Sequence, residues 1–302
     1  MARKIHRIGA DRAFDTFNFI FLTLIFLIVA YPLWFVIIAS VSSPAAVGSG
    51  QVVWRPIGFS LDGYVQVFEN KNVLRGFLNS LFYTALGTSI NLAVTLPTGY
   101  ALSRKDFRGR KVITIFYLIT MFVSGGMIPT YLVVKNIGFL DTVWALVIPG
   151  AISVYNMIVA RTFFASSLPT ELLEAAKLDG CGNTRFFFKI ALPLSGAIIA
   201  ILVLYYGIGH WNAYFSALIY ITTERKFPLQ LVLRSILVVN EAQLAQKTAA
   251  TPDQIAELAR VRERIELMKY SLIIISSIPV MLLYPMVQKH FVKGVMIGSV
   301  KG

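Results

Sequence analysis

The sequence predicts an all-α integral membrane protein with six transmembrane helices and both termini on the cytoplasmic side. Three observations carry that reading. First, 56% of the 302 residues are hydrophobic and only 14% are charged, whereas soluble domains average about 25% charged. So little polar surface cannot coat a water-soluble globule, which excludes a cytosolic enzyme, a secreted disulfide scaffold and a disordered chain. Second, the apolar residues form long continuous runs without period-two alternation, which excludes barrel strands. Third, the basic residues gather at one set of run ends. Cys181 is the single cysteine, so no disulfide forms within the chain.

Six runs reach the ~20 helical residues that ~30 Å of hydrocarbon demands: residues 17–41, 77–102, 112–134, 143–164, 194–221 and 270–287. The tail 1–16 carries Arg3, Lys4, Arg7 and Arg12 ahead of the first run. That run far exceeds the ~7–15 residues of a signal-peptide core, so it reads as an uncleaved first helix. Gly125, Gly126 and Pro129 interrupt the third run, and the fifth contains His210, Trp211 and Asn212. Pro97, Gly99, Pro149 and Gly150 are further points at which a span can bend if neighbours re-satisfy the freed backbone groups.

Orientation follows from Lys and Arg beside the runs. With the N-terminus inside, and Arg161 near the end of the fourth run counted inside, the inner segments hold 16 basic and 6 acidic residues, the outer ones 12 and 9. The loop 103–111, with Arg104, Lys105, Arg108, Arg110 and Lys111, weighs most. The formal net charge of +13 is thereby assigned to headgroup-facing helix ends, not to nucleic acid. The layout is a cytoplasmic tail 1–16, a six-helix domain 17–294 and a cytoplasmic tail 295–302. Within the domain lie a cytoplasmic loop 165–193 and an external loop 222–269.

The cytoplasmic loop is dense in helix signals. Pro169 suits a first turn, Glu171 and Glu174 complement the helix dipole, and Gly180 supplies a left-handed stop. Leu172, Leu173 and Ala176 share a face, with Lys177 three residues after Glu174 on another. The result is a two-turn amphipathic helix outside the bilayer, too short to persist unaided. A second helical run with Phe186, Phe187, Phe188 and Ile190 leads to Leu192 and Pro193.

Glu174-Ala175-Ala176, three residues, Gly180, nine residues and Ile190-Ala191-Leu192-Pro193 resemble the EAA loop of binding-protein-dependent ABC importer permeases. His210-Trp211-Asn212-Ala213-Tyr214, Phe227-Pro228-Leu229 and the tail Phe291-Val292-Lys293-Gly294 to Val300-Lys301-Gly302 resemble the carbohydrate-uptake subgroup. Within it the likeness is to the smaller maltose permease subunit. The segment 241–269 departs from that subunit and resembles permeases for oligosaccharides or polysaccharide fragments.

The resemblance implies a type I importer permease fold. It implies that Glu171, Glu174, Ala175, Ala176, Asp179, Gly180, Leu192 and Pro193 couple the chain to a cytoplasmic ATPase. The implied partners are a second homologous permease subunit, a dimer of ABC ATPase subunits, an extracytoplasmic solute-binding protein, membrane lipid and a carbohydrate. The implied location is the plasma membrane, and ATP and magnesium belong to the ATPase. No Gly-x-x-x-x-Gly-Lys-Ser/Thr occurs in this chain, so it builds no P-loop of its own. His6, His210 and His290 are widely separated and no metal-ligand spacing exists, so neither a metal site nor a catalytic set is expected.

For the translocation path the candidates are Tyr155, Asn156, His210, Trp211, Asn212 and Tyr214, as sugar-stacking or polar contacts. Membrane packing and an interfacial aromatic belt explain such residues too. Pro252, Asp253 and Glu257 begin an amphipathic helix in the external loop, read either as a contact for the binding protein or as a solvated cap. The rival to the whole reading is a self-contained secondary transporter or channel for a small polar solute. It requires intramembrane carboxylates or broken-helix ion sites, and no acidic residue falls inside the six runs.

Overall fold

A computed structural model describes residues 9–239, 265–266, 268–285 and 288. Among them every regular element is helical. The expected helix from Pro252 and the tail from Phe291 lie outside the described residues, as do His6 and His290. The chain divides into two compact units, residues 1–70 with 236–275, and residues 71–235 with 276–302.

In the first unit, α1 (Gly9–Ser40) is one helix that continues through Pro32. Its side chains from Phe14 to Val29 are exposed, as lipid-facing apolar residues are. Its C-terminal end is folded in: Ile38 packs with Ala46 and Val52. The short α2 (Pro44–Gly48) has Ser43 as its cap and Pro44 in its first turn. The return segment is tied by Ile57 N to Ser42 Oγ at 3.2 Å, and α3 (Asp62–Glu69) follows. Tyr31 meets Trp54 at 5.0 Å between ring centroids, the rings tilted by 59°, and Trp34 Nε1 donates to the Trp54 carbonyl at 3.1 Å.

The second unit is organised on α4 (Lys71–Ser103), 33 residues that run through Pro97 without interruption. Its polarity is inverted relative to a soluble helix. Val73, Gly76, Ser80, Tyr83, Gly87, Asn91, Thr95 and Gly99 are buried at three- and four-residue steps. Leu74, Leu78, Leu81 and Phe82 are exposed. Three glycines mark where other helices cross. A Cβ on Gly99 would lie 2.8 Å from the Ala160 Cβ, one on Gly87 2.5 Å from the His210 ring, and one on Gly76 3.3 Å from the Leu229 backbone. Small residues at crossings let backbones approach, which is how helices associate in lipid.

The remaining expected spans are less regular than the runs suggest. Residues 112–134 form α5 (Arg110–Phe122) and α6 (Met127–Asn136), bent by 114°. The bend sits at Gly125-Gly126, with Gly126 at φ 87°. Residues 143–164 form α7 (Val143–Val147) and α8 (Val154–Ser167), broken at Pro149-Gly150. After α9 (Thr170–Leu178) and α10 (Asn183–Phe186), the chain passes through a π turn and a 3₁₀ turn into α11 (Gly196–Trp211). The run 194–221 thus ends its helix at Trp211, and α12 (Phe215–Tyr220) and α13 (Leu229–Arg234) follow. Met268–Pro285 forms α14. Among the described residues three helices are long and apolar enough to span a membrane, or four with the bent pair counted as one. The buried polar stripe of α4 explains why it is not one of them despite ample length.

Gly99→Leu should lower stability by about 1–3 kcal/mol through overpacking against Ala160. Gly125→Ala meets nothing closer than 3.8 Å and should be neutral. Thermal melting of the purified protein in detergent measures both, and equal midpoints for the two variants would refute the crossing.

Candidate functional site: an external helix and a cavity at a broken span

The helix α9 closes as the residue pattern predicts. Asp179 N bonds the Ala175 carbonyl at 3.1 Å, Gly180 N bonds Lys177 at 3.0 Å and Cys181 N bonds Ala176 at 2.8 Å. Gly180 sits at φ +74°, a conformation that glycine adopts at no steric cost. Its inner side is narrow. Ala176 is buried in a cluster with Tyr100, Phe164, Phe186, Phe187 and Ala191, and Leu173 and Leu192 pack against it. Glu171, Leu172, Glu174, Ala175 and Asp179 face outward, and Leu178 is 90% exposed. The expected shared face of Leu172, Leu173 and Ala176 is therefore divided, with Leu172 turned out. Leu192 and Pro193 serve the return to the bundle: Leu192 N bonds the Phe187 carbonyl at 2.9 Å, and Pro193 begins the 3₁₀ turn before α11.

Lys177 pairs across the fold rather than with Glu174. Its Nζ lies 3.2 Å from Asp106 Oδ2. Arg104 grips the same carboxylate with Nε at 2.9 Å and Nη2 at 2.6 Å, a bidentate arrangement. Arg104 Nη1 donates to Tyr100 Oη at 2.8 Å and Nη2 to Asn183 Oδ1 at 3.3 Å. The Arg104–Asp106 pair in the loop after α4 thus holds the junction of α9 and α10 from both sides, through Lys177 and Asn183. Hydrogen bonds from Arg104, aided by Lys177, hold the Asp106 carboxyl well below the usual carboxylate range, and that carboxylate raises the Arg104 guanidinium.

The second site lies where α7 gives way to α8. A cavity of about 510 Å³ is lined by Gly150, Asn156, Tyr205, Tyr206, His210 and Tyr220, among others. The break beside it exposes backbone carbonyls that a membrane interior cannot solvate. Asn91 of α4 answers them, Nδ2 donating to the Gly150 and Ala151 carbonyls at 2.7 and 2.8 Å. With Nδ2 so committed, Asn91 Oδ1 is an acceptor, and His210 Nε2 at 2.7 Å is the donor. That bond assigns the imidazole its Nε2–H form. Tyr206 Oη pairs with Thr95 Oγ1 at 2.8 Å and accepts from Ser153 N at 3.1 Å.

Of the six residues expected along a path, Asn156 and His210 line this cavity. Trp211 does not: it is buried, meets Phe77 edge-on at 5.6 Å and donates to the Ser276 carbonyl at 2.9 Å. Asn212 caps α11. Tyr155 and Tyr214 are exposed away from it. Among the described residues no three His, Cys, Asp or Glu side chains converge as metal ligands would.

A third polar cluster secures the start of the expected external loop. Asp141, at φ +56°, accepts from Thr222 N and Thr223 N at 3.0 Å each and from Lys226 Nζ at 2.7 Å. Asn79 Nδ2 donates to the Arg225 and Phe227 carbonyls at 2.9 and 3.0 Å, and Ser80 Oγ accepts from Leu229 N at 2.8 Å. Asn91, Asp106 and Asp141 carry no sequence motif, and Arg104 reads from sequence only as a basic residue beside a run end. For Asn91 a signal existed, since a polar side chain deep in an apolar run is costly and must have a partner.

No protein-family model matches the chain. It is 40% identical over 298 residues to Protein LplC of Bacillus subtilis strain 168, covering 99% of this chain and 98% of that one. It is 38% identical to the polygalacturonan/rhamnogalacturonan transport system permease protein YtcP of the same organism, over 97% and 99% of the two chains. A chain of a bacterial ABC transporter that imports the acidic polysaccharide alginate superposes with a TM-score of 0.85. It shares 30% identity and covers 95% of this chain and 100% of its own.

Asn91→Leu orphans two carbonyls and His210 at once. The expected loss is about 1–3 kcal/mol for each unpaired group, read as a fall in melting midpoint in detergent; an unchanged midpoint would refute the bridge. The brace carries its own pH signature. A carboxylate whose folded pKa is depressed stabilises above its unfolded value near ~4. The gap in midpoint between wild type and Asp106→Asn should therefore be constant from about pH 8 to 5 and close only below ~4. A gap that shrinks near neutrality contradicts the assignment.

Proposed function

Because the chain belongs to the permease family of ABC carbohydrate importers, we propose that α9 is its joint to a separate ATPase. The observation that carries this reading is an outward acidic and apolar surface on a helix that is rigidly backed. Glu171 and Leu178 are exposed and Glu174 stands exposed at the rim of the cleft that Arg104, Asp106 and Lys177 line, while Ala176 and the Asp106 brace hold the helix from behind. A short helix so held transmits displacement; a loop would absorb it. Asp179, Gly180, Leu192 and Pro193 shape the segment, and Glu171, Glu174 and Ala175 make the contact.

In this reading the chain crosses the plasma membrane six times, with α9 and both termini in the cytoplasm. It pairs with a second homologous permease subunit and a dimer of ATPase subunits that hold ATP and magnesium. An extracytoplasmic binding protein delivers the cargo. The cargo is an oligosaccharide or polysaccharide fragment, as the names of the relatives suggest, and this subunit performs no catalysis. ATP-driven closure of the ATPases moves α9. The cluster of Tyr100, Phe164, Phe186 and Ala176 passes that motion to α4, α8 and α11, whose polar network borders the cavity. Asn156 and His210 then face the passing sugar, and hydrolysis resets the inward state.

The test is reconstitution of the full importer in proteoliposomes with its partner subunits and binding protein. Glu174→Lys, and Gly180→Pro, which cannot adopt φ +74°, should each cut ATP-driven sugar uptake by at least about tenfold while leaving the chain inserted. Wild-type uptake by both variants would remove α9 as the joint. Uptake that follows an ion gradient and ignores ATP would replace the importer reading with a secondary transporter.

A further inference from the structure

Arg110, Lys111 and Arg161 meet in one cleft of about 260 Å³, with Thr114 and Ile115 completing its wall. The cleft lies between the first turn of α5 and the C-terminal half of α8, at the end of the bundle from which α9 projects. No carboxylate lines it. The one acid of the adjacent loop, Asp106, is consumed by Arg104 and Lys177. Arg161 is held in place by Nε donating to the Leu102 carbonyl at 3.1 Å. Its two terminal amino groups have no partner among the described residues. Arg110 reaches the Arg104 carbonyl with Nη1 at 3.4 Å, and Gly109 gives α5 no side-chain cap. Three like charges converging at an uncapped helix start repel one another unless an anion sits among them.

What continues from the cleft decides which anion. Along α5, Ile115, Ile119 and Phe122 are exposed at four- and three-residue steps, flanked by exposed Val112 and Phe116. A free phosphate uses the cations and nothing below them. A phospholipid uses both, headgroup in the cleft and acyl chain along the stripe. We propose that this cleft binds the phosphate of an anionic phospholipid, a site that rests on the reading of α5 as membrane-embedded. Occupancy would tie α5 to α8, and α8 leads directly into α9, so the lipid stiffens the support of the coupling helix.

The test uses the full importer in nanodiscs of phosphatidylcholine with or without phosphatidylglycerol, with bound lipid counted by native mass spectrometry. Wild type should retain phosphatidylglycerol. Lys111→Gln, at an exposed position, should lower retention about fivefold, and Arg110→Gln with Lys111→Gln about twenty-five-fold. Excess inorganic phosphate should leave the lipid in place. Equal retention by wild type and double variant overturns the site. Displacement by inorganic phosphate alone makes it a phosphate site and overturns the lipid. Protection of a Lys111→Cys thiol from maleimide by the sister subunit in phosphatidylcholine alone makes it a protein interface and also overturns it. Retention does not require transport: a wild type that keeps the lipid but fails ATP-driven uptake refutes the proposed function and leaves the site standing. A wild type that transports without selective retention does the reverse.

Discussion

The hydrogen bonds of one buried amide, Asn91, let a membrane helix be interrupted. Backbone carbonyls released inside a bilayer have no water to turn to, and the break at Pro149-Gly150 releases several. By donating to Gly150 and Ala151 and accepting from His210, Asn91 joins α4, the α7–α8 junction and α11 in one connected set. Tyr206, between Thr95 and Ser153 N, repeats the arrangement one turn along α4. The cavity beside the break exists because these partners make an open backbone tolerable, so its polar lining and the stability of the unit have the same origin.

The same helix also supports α9. Tyr100 and Leu96 of α4 belong to the cluster that seats Ala176, and the loop that follows supplies Arg104 and Asp106. From Asn91 to Ser103 α4 is unbroken, and the Arg104–Asp106 ion pair stands in the turn that follows it. Gly87 and Gly99 keep α11 and α8 close enough for the polar contacts to form. Packed side chains thus connect α9 to α4, α8 and α11, of which α8 and α11 line the cavity.

Brace and break differ in how they respond to conditions. The carboxylate of Asp106 is half-exposed, and such pairs are individually weak and screened by salt. Its value is geometric, fixing the direction of α9, while the buried cluster behind Ala176 supplies the adhesion. The hydrogen bonds of Asn91 are buried and insensitive to salt.

Membrane residence, the apolar runs, the boundaries of α9 and its glycine stop are all local properties, and residue pattern alone determines them. Pro169, Glu171 and Gly180 specify a start and a stop through backbone chemistry that needs no distant partner. Glu174-Ala175-Ala176 with its downstream spacing likewise placed the chain among ABC importer permeases, and relatives along the whole chain agree. Which expected path residues share a cavity is not local. Asn156 and His210 stand together while Trp211 turns into packing, because helix rotation depends on where Gly87 and Gly99 admit their neighbours. The bend at Gly125-Gly126 and the break at Pro149-Gly150 were visible as possibilities. Only the tertiary structure decided that α4 continues unbroken through Pro97 and Gly99 while the chain breaks at Pro149-Gly150, where Asn91 of another helix brings the donor for the freed carbonyls. Asp106 stayed hidden for the same reason: its partners Lys177 and Arg104 are 71 and 2 residues away, and folding alone brings them to one carboxylate.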